Sequence, residues 1–186
     1  TTLKELIAQA KAKPAQLNYA SSGNGAITHL AAERFKRAAG IDLTHVPYKG
    51  SAPAVAAVLA GEVSVAFSTV PPVLGQARAG KLIPIGVTFA SGIAQLPGVP
   101  AMTTEVPGFE MGLYQGVLAP AGTPKEIVDR LNAAIAKAMR HPKMIETMRA
   151  NVLEPMALGP EAFREFLAKE VKAWGDLVRS VGLRVD

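Results

Sequence analysis

The stretch that decides the fold is Leu17-Asn18-Tyr19-Ala20-Ser21-Ser22-Gly23-Asn24-Gly25-Ala26-Ile27-Thr28-His29-Leu30. Its pattern is a short apolar strand, a loop of small polar residues and the start of a helix. Gly23 and Gly25 permit positive φ angles and close approach to main-chain amides, and the N-terminus of the following helix attracts negative charge. The stretch therefore predicts an anion-binding loop; the alternative is that Ser21, Ser22 or Asn24 only caps the helix.

The helix that follows the loop is predicted over residues 26–39. Its apolar spacing indicates a buried face of Ile27, Leu30, Ala31 and Phe35, with Glu33, Arg34 and Lys36 exposed. Gly40 suits a left-handed C-terminal cap.

The pattern of strand, polar loop and helix then repeats along the chain. Tyr48-Lys49-Gly50-Ser51 opens a second helix with Ser51 as its cap, and Ser68-Thr69 precedes a third that begins at Pro71. Apolar runs predict strands at 16–20, 43–46, 63–67 and 82–89. Short strands that alternate with helices predict an α/β fold with a mostly parallel, helix-covered sheet.

The C-terminal part has a different pattern. Residues 90–112 are rich in Gly and Pro and are predicted to be irregular, and strands are predicted at 110–118 and 152–156. Thr123 and Glu126 have capping-box spacing around Pro124, and another helix follows Pro142. A long helix over 160–181 is predicted to bury one face, made of Phe163, Phe166, Leu167, Val171, Trp174, Leu177, Val178 and Val181.

Composition excludes several classes of function. The net charge of +5 is spread along the chain without a basic stripe, which argues against nucleic-acid binding. The absence of cysteine excludes disulfides, thiolate metal sites and a cysteine nucleophile. Neither His45 nor His141 has metal-ligand spacing, so no metal is predicted.

The loops that begin the three helices are predicted to share one edge of the sheet. Carboxyl ends of parallel strands face the same way, and open α/β sheets bind ligands in the crevice there. Lys49 is either a cation in that cleft or an ordinary surface lysine, and Tyr48 either contacts a ligand or packs on the strand end. The candidate ligand-binding residues are Ser21, Ser22, Gly23, Asn24, Gly25, Ala26, Thr28, His29, Tyr48, Lys49, Ser68 and Thr69.

Two chemical alternatives were weighed for the same loop. A dinucleotide fingerprint fails because Thr28 stands where a third small residue should pack, so no cofactor is predicted. A hydrolase would use Ser21 or Ser22 with His29, but it lacks an orienting acid and a nucleophile elbow. No catalytic residue is therefore assigned, and the chain is predicted not to be an enzyme.

Several blocks together resemble a known family. They are the loop from Leu17 to Gly25, His29-Leu30-Ala31-Ala32-Glu33, His45-Val46-Pro47-Tyr48-Lys49-Gly50, Ala79-Gly80-Lys81-Leu82 and Leu118-Ala119-Pro120-Ala121-Gly122-Thr123-Pro124. In this order and spacing, over essentially the whole chain, the blocks resemble the Bug-type periplasmic solute-binding receptors of tripartite tricarboxylate transporters.

The resemblance implies a Venus-flytrap receptor whose two α/β domains close over a small carboxylate. Loop 21–26 is similar to the carboxylate clamp of the second domain, and such receptors deliver the ligand to a membrane permease without chemistry. A periplasmic location is implied as well. A ligand-sensing regulatory domain has a similar fold, but the chain has no helix-turn-helix segment that would accompany it.

The chain also departs from the family pattern. It begins where the second domain of the family begins, so the N-terminal half of the first domain is absent. Residues 1–112 are predicted to be the second domain, and 113–186 a hinge strand and the returning part of the first. Apolar surface would then be uncovered, which predicts either a fragment or self-association. Ala26 and Ser68 stand where a hydroxyl residue and an Asp are common, so the ligand is not specified.

Overall fold

The computed structural model describes residues 1–181, which contain seven α-helices and three strands. One compact unit holds residues 1–113 and a second holds residues 114–179. The assignment of these units to the two domains of a receptor stays a prediction.

In chain order, the elements are α1 (Leu3–Ala12), β1 (Asn18–Ser21), α2 (Ile27–Ala39), β2 (Thr44–Pro47), α3 (Ser51–Leu59), β3 (Val65–Ala66), α4 (Pro71–Arg78), a short 3-10 helix (Met102–Thr104), α5 (Lys125–Met139), α6 (Pro142–Ala150) and α7 (Pro160–Val181).

The first unit is built on a parallel sheet with strand order β2-β1-β3. Successive side chains of a strand point to opposite faces, and β1 uses this alternation to build two cores. On one face Tyr19 packs with Ala10 of α1 and Ala32 of α2. On the other face Ala20 packs with Ala54 and Ala57 of α3. The predicted helix-covered parallel sheet is confirmed.

Helix α2 agrees with its prediction in length but not in its polar face. It ends at Gly40, which adopts the left-handed conformation, with φ of 63°. Glu33, Arg34 and Lys36 were predicted to be exposed, yet all three are half-buried. Glu33 accepts a hydrogen bond from Lys36, and Arg34 donates to the Glu110 carbonyl, so these charged groups serve as internal partners.

Three predicted strands are wrong. Within 82–89 only Val87 pairs, through an isolated parallel bridge to Ala101. Residues 110–118 and 152–156 form no strand in the described part of the chain. Val117 and Leu118 are each 71% exposed, because no neighbouring strand covers them there. Val152 has a left-handed φ of 57°, which ends α6 in a turn and breaks an extended run.

Two predicted caps are also wrong. Ser51 is the first helical residue of α3, and the N-cap is Gly50. The Thr123 hydroxyl donates to the Pro120 carbonyl, so the capping box with Glu126 does not form and Pro124 is the N-cap of α5. The N-cap of α3 lies one residue before Ser51, and the N-cap of α5 lies one residue after Thr123. Neither hydroxyl is therefore at the position from which it could cap the helix.

The long helix α7 has the predicted length, but its apolar face is only partly covered. Phe166 packs edge-on against Tyr114, whereas Val171 is 65% exposed. The other predicted members up to Val178 are half-buried. The predicted burial of Val181 lies outside the described side chains, and residues 182–186 of the predicted second region lie outside the described structure.

Candidate functional site

The three predicted loops lie at the carboxyl edge of the same parallel sheet. Main-chain bonds join the first two loops, because the amide of Tyr48 donates to the Ser21 carbonyl at 3.0 Å and the amide of Gly50 to the Ser22 carbonyl at 3.1 Å. The Thr69 hydroxyl donates to the Ser51 hydroxyl at 3.3 Å, which joins the third loop to the second. All twelve candidate residues therefore belong to one connected edge of the first unit.

The first loop owes its shape to two glycines. Gly23 has φ of 134°, and a Cβ there would lie 3.3 Å from the Tyr48 carbonyl oxygen. Gly25 has φ of 70°. L side chains rarely adopt either conformation, so this path of the main chain depends on residues without a Cβ.

No side chain caps α2, contrary to the helix-capping alternative. Its N-cap is Ala26, which has no hydrogen-bonding side chain. The hydroxyls of Ser22 and Thr28 bond to each other at 2.7 Å, and the Thr28 hydroxyl also accepts from the Ser22 amide at 2.8 Å. The first turn of α2 therefore keeps its amide donors and its positive dipole end for an acceptor from outside the helix.

The other two helices at this edge also begin without a side-chain cap, but they differ in the donors that they present. The N-cap of α3 is Gly50, which has φ of 116° and no side chain that could accept from the first amides of the helix. Helix α4 begins with Pro71 and Pro72, which have no N–H, and the Val73 amide donates to the Val70 carbonyl. It therefore contributes a dipole but almost no hydrogen-bond donors.

Candidate side chains fall into accessible and inaccessible groups. Ser21, Thr28 and His29 are 0%, 5% and 4% exposed, so their side chains support the loop from inside. Asn24 and Lys49 are exposed. Ser22, Gly23, Gly25, Ala26, Tyr48, Ser68 and Thr69 are half-buried, and the Ser68 hydroxyl donates to the Thr69 carbonyl.

Tyr48 packs against the core on the α3 face of the sheet, as the packing alternative predicts. Ser68 and Thr69 do not cap α4, because its N-cap is Val70.

The site contains one residue that the sequence did not single out. Nε2 of His45 lies 2.6 Å from the Ser21 Oγ, and the His45 ring is stacked on His29 with centroids 3.9 Å apart. The Tyr19 ring also stacks on His45, with centroids 4.8 Å apart. Tyr19 and His45 are paired in the register of β1 and β2, which is the signal that could have placed them together.

The histidine pair is held in a neutral state. Burial, together with the neighbouring His29, lowers the pKa of His45 to about 4 against the opposing effect of Glu33. Burial also lowers the pKa of His29. The amide of Gly25 donates to Nδ1 of His29 at 3.1 Å, which requires that nitrogen to be unprotonated.

The predicted Ser–His pairs for hydrolysis are not formed. Ser22 bonds to Thr28, and Nδ1 of His29 receives the Gly25 amide. Ser21 pairs with His45 instead, but it is fully buried and cannot reach a substrate. Among the described residues there is no cluster of three or more His, Cys, Asp or Glu side chains that could hold a metal ion.

A separate groove of about 550 Å³ lies in the second unit between α5 and α6. Its lining includes Lys137, His141, Lys143 and Thr147. Nδ1 of His141 already accepts the Lys143 amide, so this ring acts as the cap of α6. The groove lacks the convergence of main-chain donors that distinguishes the loop edge.

No helix within residues 1–181 has the length and hydropathy needed to cross a bilayer.

Comparison with known proteins places these features in context. Residues 1–183 match the family described as tripartite tricarboxylate transporter family receptor. The chain is 32% identical to the protein BugT of Bordetella pertussis over 99% of its own length and 57% of that protein. It therefore spans little more than half of that relative.

Two solved structures are also similar. One is Rpa4515 of R. palustris with adipate, with a TM-score of 0.86 and 32% identity, covering 98% of this chain and 62% of that one. The other is the periplasmic binding protein BugD, with a TM-score of 0.81 and 30% identity, covering 98% and 62%. The predicted periplasmic-binding-protein type of α/β fold is therefore confirmed.

Proposed function

This chain belongs to the receptor family of tripartite tricarboxylate transporters, as a Bug-type member, and we propose that its loop edge binds a small carboxylate. The receptor would capture this solute outside the cytoplasm and deliver it to a membrane permease. The chain spans little more than half of its matched relative. Transporter association and periplasmic location are accordingly proposals that rest on the family.

The observation that carries the proposal is the uncapped N-terminus of α2 beside a loop held open by glycine. Helix N-termini without a side-chain acceptor bind anions through their amides and dipole. The loop amides of Ser22, Gly23, Gly25 and Ala26 bond within the loop or to the first turn of α2 and fix the shape of the loop. Ala26 provides no acceptor, so the amides in the first turn of α2 have no side-chain cap. A carboxylate has the charge and the acceptor geometry for such donors.

The adipate in the structure of Rpa4515 supports the same ligand class. That structure covers 98% of this chain at 32% identity, so the corresponding edge of the fold is present in both proteins. The proposed ligand of this chain is therefore a small carboxylate, and the proposal covers mono-, di- and tricarboxylates alike.

We propose binding without catalysis. The Ser22 hydroxyl is bonded to Thr28 and lies outside any Ser–His pair, and Ser21 is buried behind the loop. A nucleophile needs both an adjacent base and access to the substrate. The receptors of this family provide the matching role, because they carry a solute unchanged.

Thermal-shift measurements followed by calorimetry test the proposal. Acetate, malate, adipate and citrate are added to the purified chain, and a specific carboxylate should raise its Tm because it binds only the folded state. No shift with any of them would contradict carboxylate binding by this chain.

Ser22→Ala and Asn24→Ala should each weaken binding, and unchanged affinity of both would remove the loop from the site.

A charge-matched pair of variants tests the second loop. Lys49 and Lys81 are both exposed lysines, but only Lys49 lies at the carboxyl edge of the sheet. Lys49→Ala should weaken carboxylate binding, whereas Lys81→Ala should leave it unchanged. Equal effects of both variants would assign the contribution of Lys49 to net charge alone.

The exposed apolar side chains of the second unit support self-association. Ile127, Leu131 and Ile135 are 42%, 48% and 37% exposed along one face of α5. Apolar patches of this kind are commonly covered by a partner. We propose that a second copy covers them, and sedimentation equilibrium should then show a dimer that Leu131→Glu dissociates. A monomer at all concentrations would contradict it.

A further inference from the structure

Beneath the candidate loop, three rings form a compact cluster, in which the centroids of Tyr19 and His29 also lie 6.5 Å apart. Tyr19 of β1 stacks on His45 of β2 at 4.8 Å, and His45 stacks on His29 of α2 at 3.9 Å with an interplanar angle of 13°. Each ring comes from a different element of the first unit. This ring cluster therefore joins the central strand β1 and its neighbour β2 to the helix that begins at the loop.

Both imidazoles are bonded to the loop itself. His45 Nε2 contacts the Ser21 Oγ at 2.6 Å, and that oxygen also lies 3.2 Å from both the amide nitrogen and the carbonyl oxygen of Gly23. His29 Nδ1 accepts the Gly25 amide at 3.1 Å. The two histidines thus fix the main chain on either side of Asn24, at the two glycines with positive φ.

We propose that His29 and His45 are positioning residues, which hold loop 21–26 in its binding conformation only while both rings are uncharged. The inference rests on the proposed function of this loop as the carboxylate site. A protonated His29 would direct an N–H at the Gly25 amide, so two donors would face each other. Two stacked imidazolium ions 3.9 Å apart would also repel.

The charged groups around the ring cluster have opposing effects on the protonation of the two histidines. On the α2 side, Glu33 stabilises an imidazolium and Lys36 disfavours it, and these two groups are paired at 3.0 Å. Asp42, just before β2, is 3.4 Å from the same Lys36 ammonium. Tyr19, from β1, is neutral and engaged with Glu33. Because the nearby charges largely compensate, burial dominates and keeps both rings uncharged.

Nuclear magnetic resonance of the ¹⁵N-labelled chain tests the positioning role without any ligand. Between pH 7.5 and pH 4, the amide signals of Gly23 and Gly25 should shift together with the ring signals of His29 and His45. Their exchange protection, corrected for the intrinsic pH dependence of exchange, should fall in parallel. His141, which caps α6 in the second unit, is the control position because its ring bonds to a main-chain amide of that same helix.

Two variants test the contact between His45 and Ser21, one at each of the two residues. His45→Gln keeps a polar side chain but cannot form the stack, and Ser21→Ala removes the hydroxyl that His45 contacts. Both should retain a dispersed spectrum, lose the coupled titration of Gly23 and reduce its exchange protection. His141→Ala should keep the wild-type pattern. Glycine signals that stay constant while the His29 and His45 rings titrate would overturn the proposal.

Calorimetry at pH 7.5 with adipate links the loop to binding. His45→Gln and Ser21→Ala should each weaken the affinity by about tenfold, the value expected for loss of one positioning hydrogen bond. His141→Ala should bind as the wild type does. Wild-type affinity in both loop variants would overturn the positioning role. If the unaltered chain binds no carboxylate at all, the proposed function fails, and the resonance experiment decides the positioning role by itself.

Discussion

The Tyr19 hydroxyl donates a 2.6 Å hydrogen bond to the Glu33 carboxylate, between the central strand β1 and helix α2. Tyr19 is fully buried, and Lys36 bonds to the same carboxylate oxygen at 3.0 Å. The phenol therefore stabilises a half-buried carboxylate by a hydrogen bond. Burial, reinforced by the negative charge of Glu33, raises the pKa of Tyr19 well above its usual value.

Tyr19→Phe should lower the free energy of unfolding by about 1–3 kcal/mol at pH 7, because it removes a hydrogen bond to a half-buried charged group. In the wild type, stability should also fall as the pH rises above about 10, where tyrosine ionises only in the unfolded state. The variant should lack this contribution of Tyr19. Urea unfolding at pH 7 and pH 10.5 measures both effects, with Tyr48→Phe as the control.

Acid should destabilise the first unit through His45. The folded pKa of about 4 is below the unfolded value, so the unfolded state binds the proton first as the pH falls. The contribution is fully present above about pH 6.5 and is lost between 6.5 and about 4. We expect about 1–3 kcal/mol over this window from the change in pKa. Urea unfolding of wild type and His45→Gln isolates it, and parallel pH profiles would contradict the expectation.

Gly23→Ala should destabilise the chain by about 1–3 kcal/mol, the typical cost of a residue held in a disfavoured main-chain conformation. The substitution forces a Cβ into positive φ and brings it within 3.3 Å of the Tyr48 carbonyl. Gly75→Ala, inside α4 and with open space around its Cβ, is the matched control and should stabilise by about 0.5–1 kcal/mol. Urea unfolding compares the two, and equal effects would refute the argument from loop geometry.

In the second unit, Gly116→Ala should disturb the start of α7. A Cβ on Gly116 would overlap the ring of Phe163, so the ring must move away from its place. We expect a loss of about 1–3 kcal/mol, as for other overpacked sites. Gly159→Ala adds its methyl group to open space and should have little effect. Near-ultraviolet circular dichroism and thermal unfolding report the difference, and an unchanged Gly116→Ala protein would contradict it.

The helices and the loop edge could be predicted from the sequence because their signals are local. Helix α2 ends at Gly40 as predicted, and α7 has its predicted bounds. A helix satisfies its own main-chain hydrogen bonds, so periodicity and caps within one segment are enough to place it. The parallel direction of the strands also follows from the repeated strand and helix units, since each crossover returns the chain in the same direction.

The errors concern features that depend on distant residues. Residues 110–118 have an apolar strand-like composition, but a strand forms only beside a partner, and Val117 has none in the described structure. His45 was treated as an isolated histidine because its contacts, Ser21 and His29, lie on other elements. Sequence spacing does not reveal a ring stack whose members come from two strands and a helix.

Two hydrogen bonds hold the first and second loops in alignment, and both join main-chain atoms only. The Tyr48 amide donates to the Ser21 carbonyl, and the Gly50 amide donates to the Ser22 carbonyl. No particular side chain is required to form them. Genetic drift can therefore exchange the exposed side chains of Asn24 and Lys49 while the loops keep their alignment. Under the proposed function of the loop edge, a lineage built on this fold could change its preferred solute and keep the same main-chain framework.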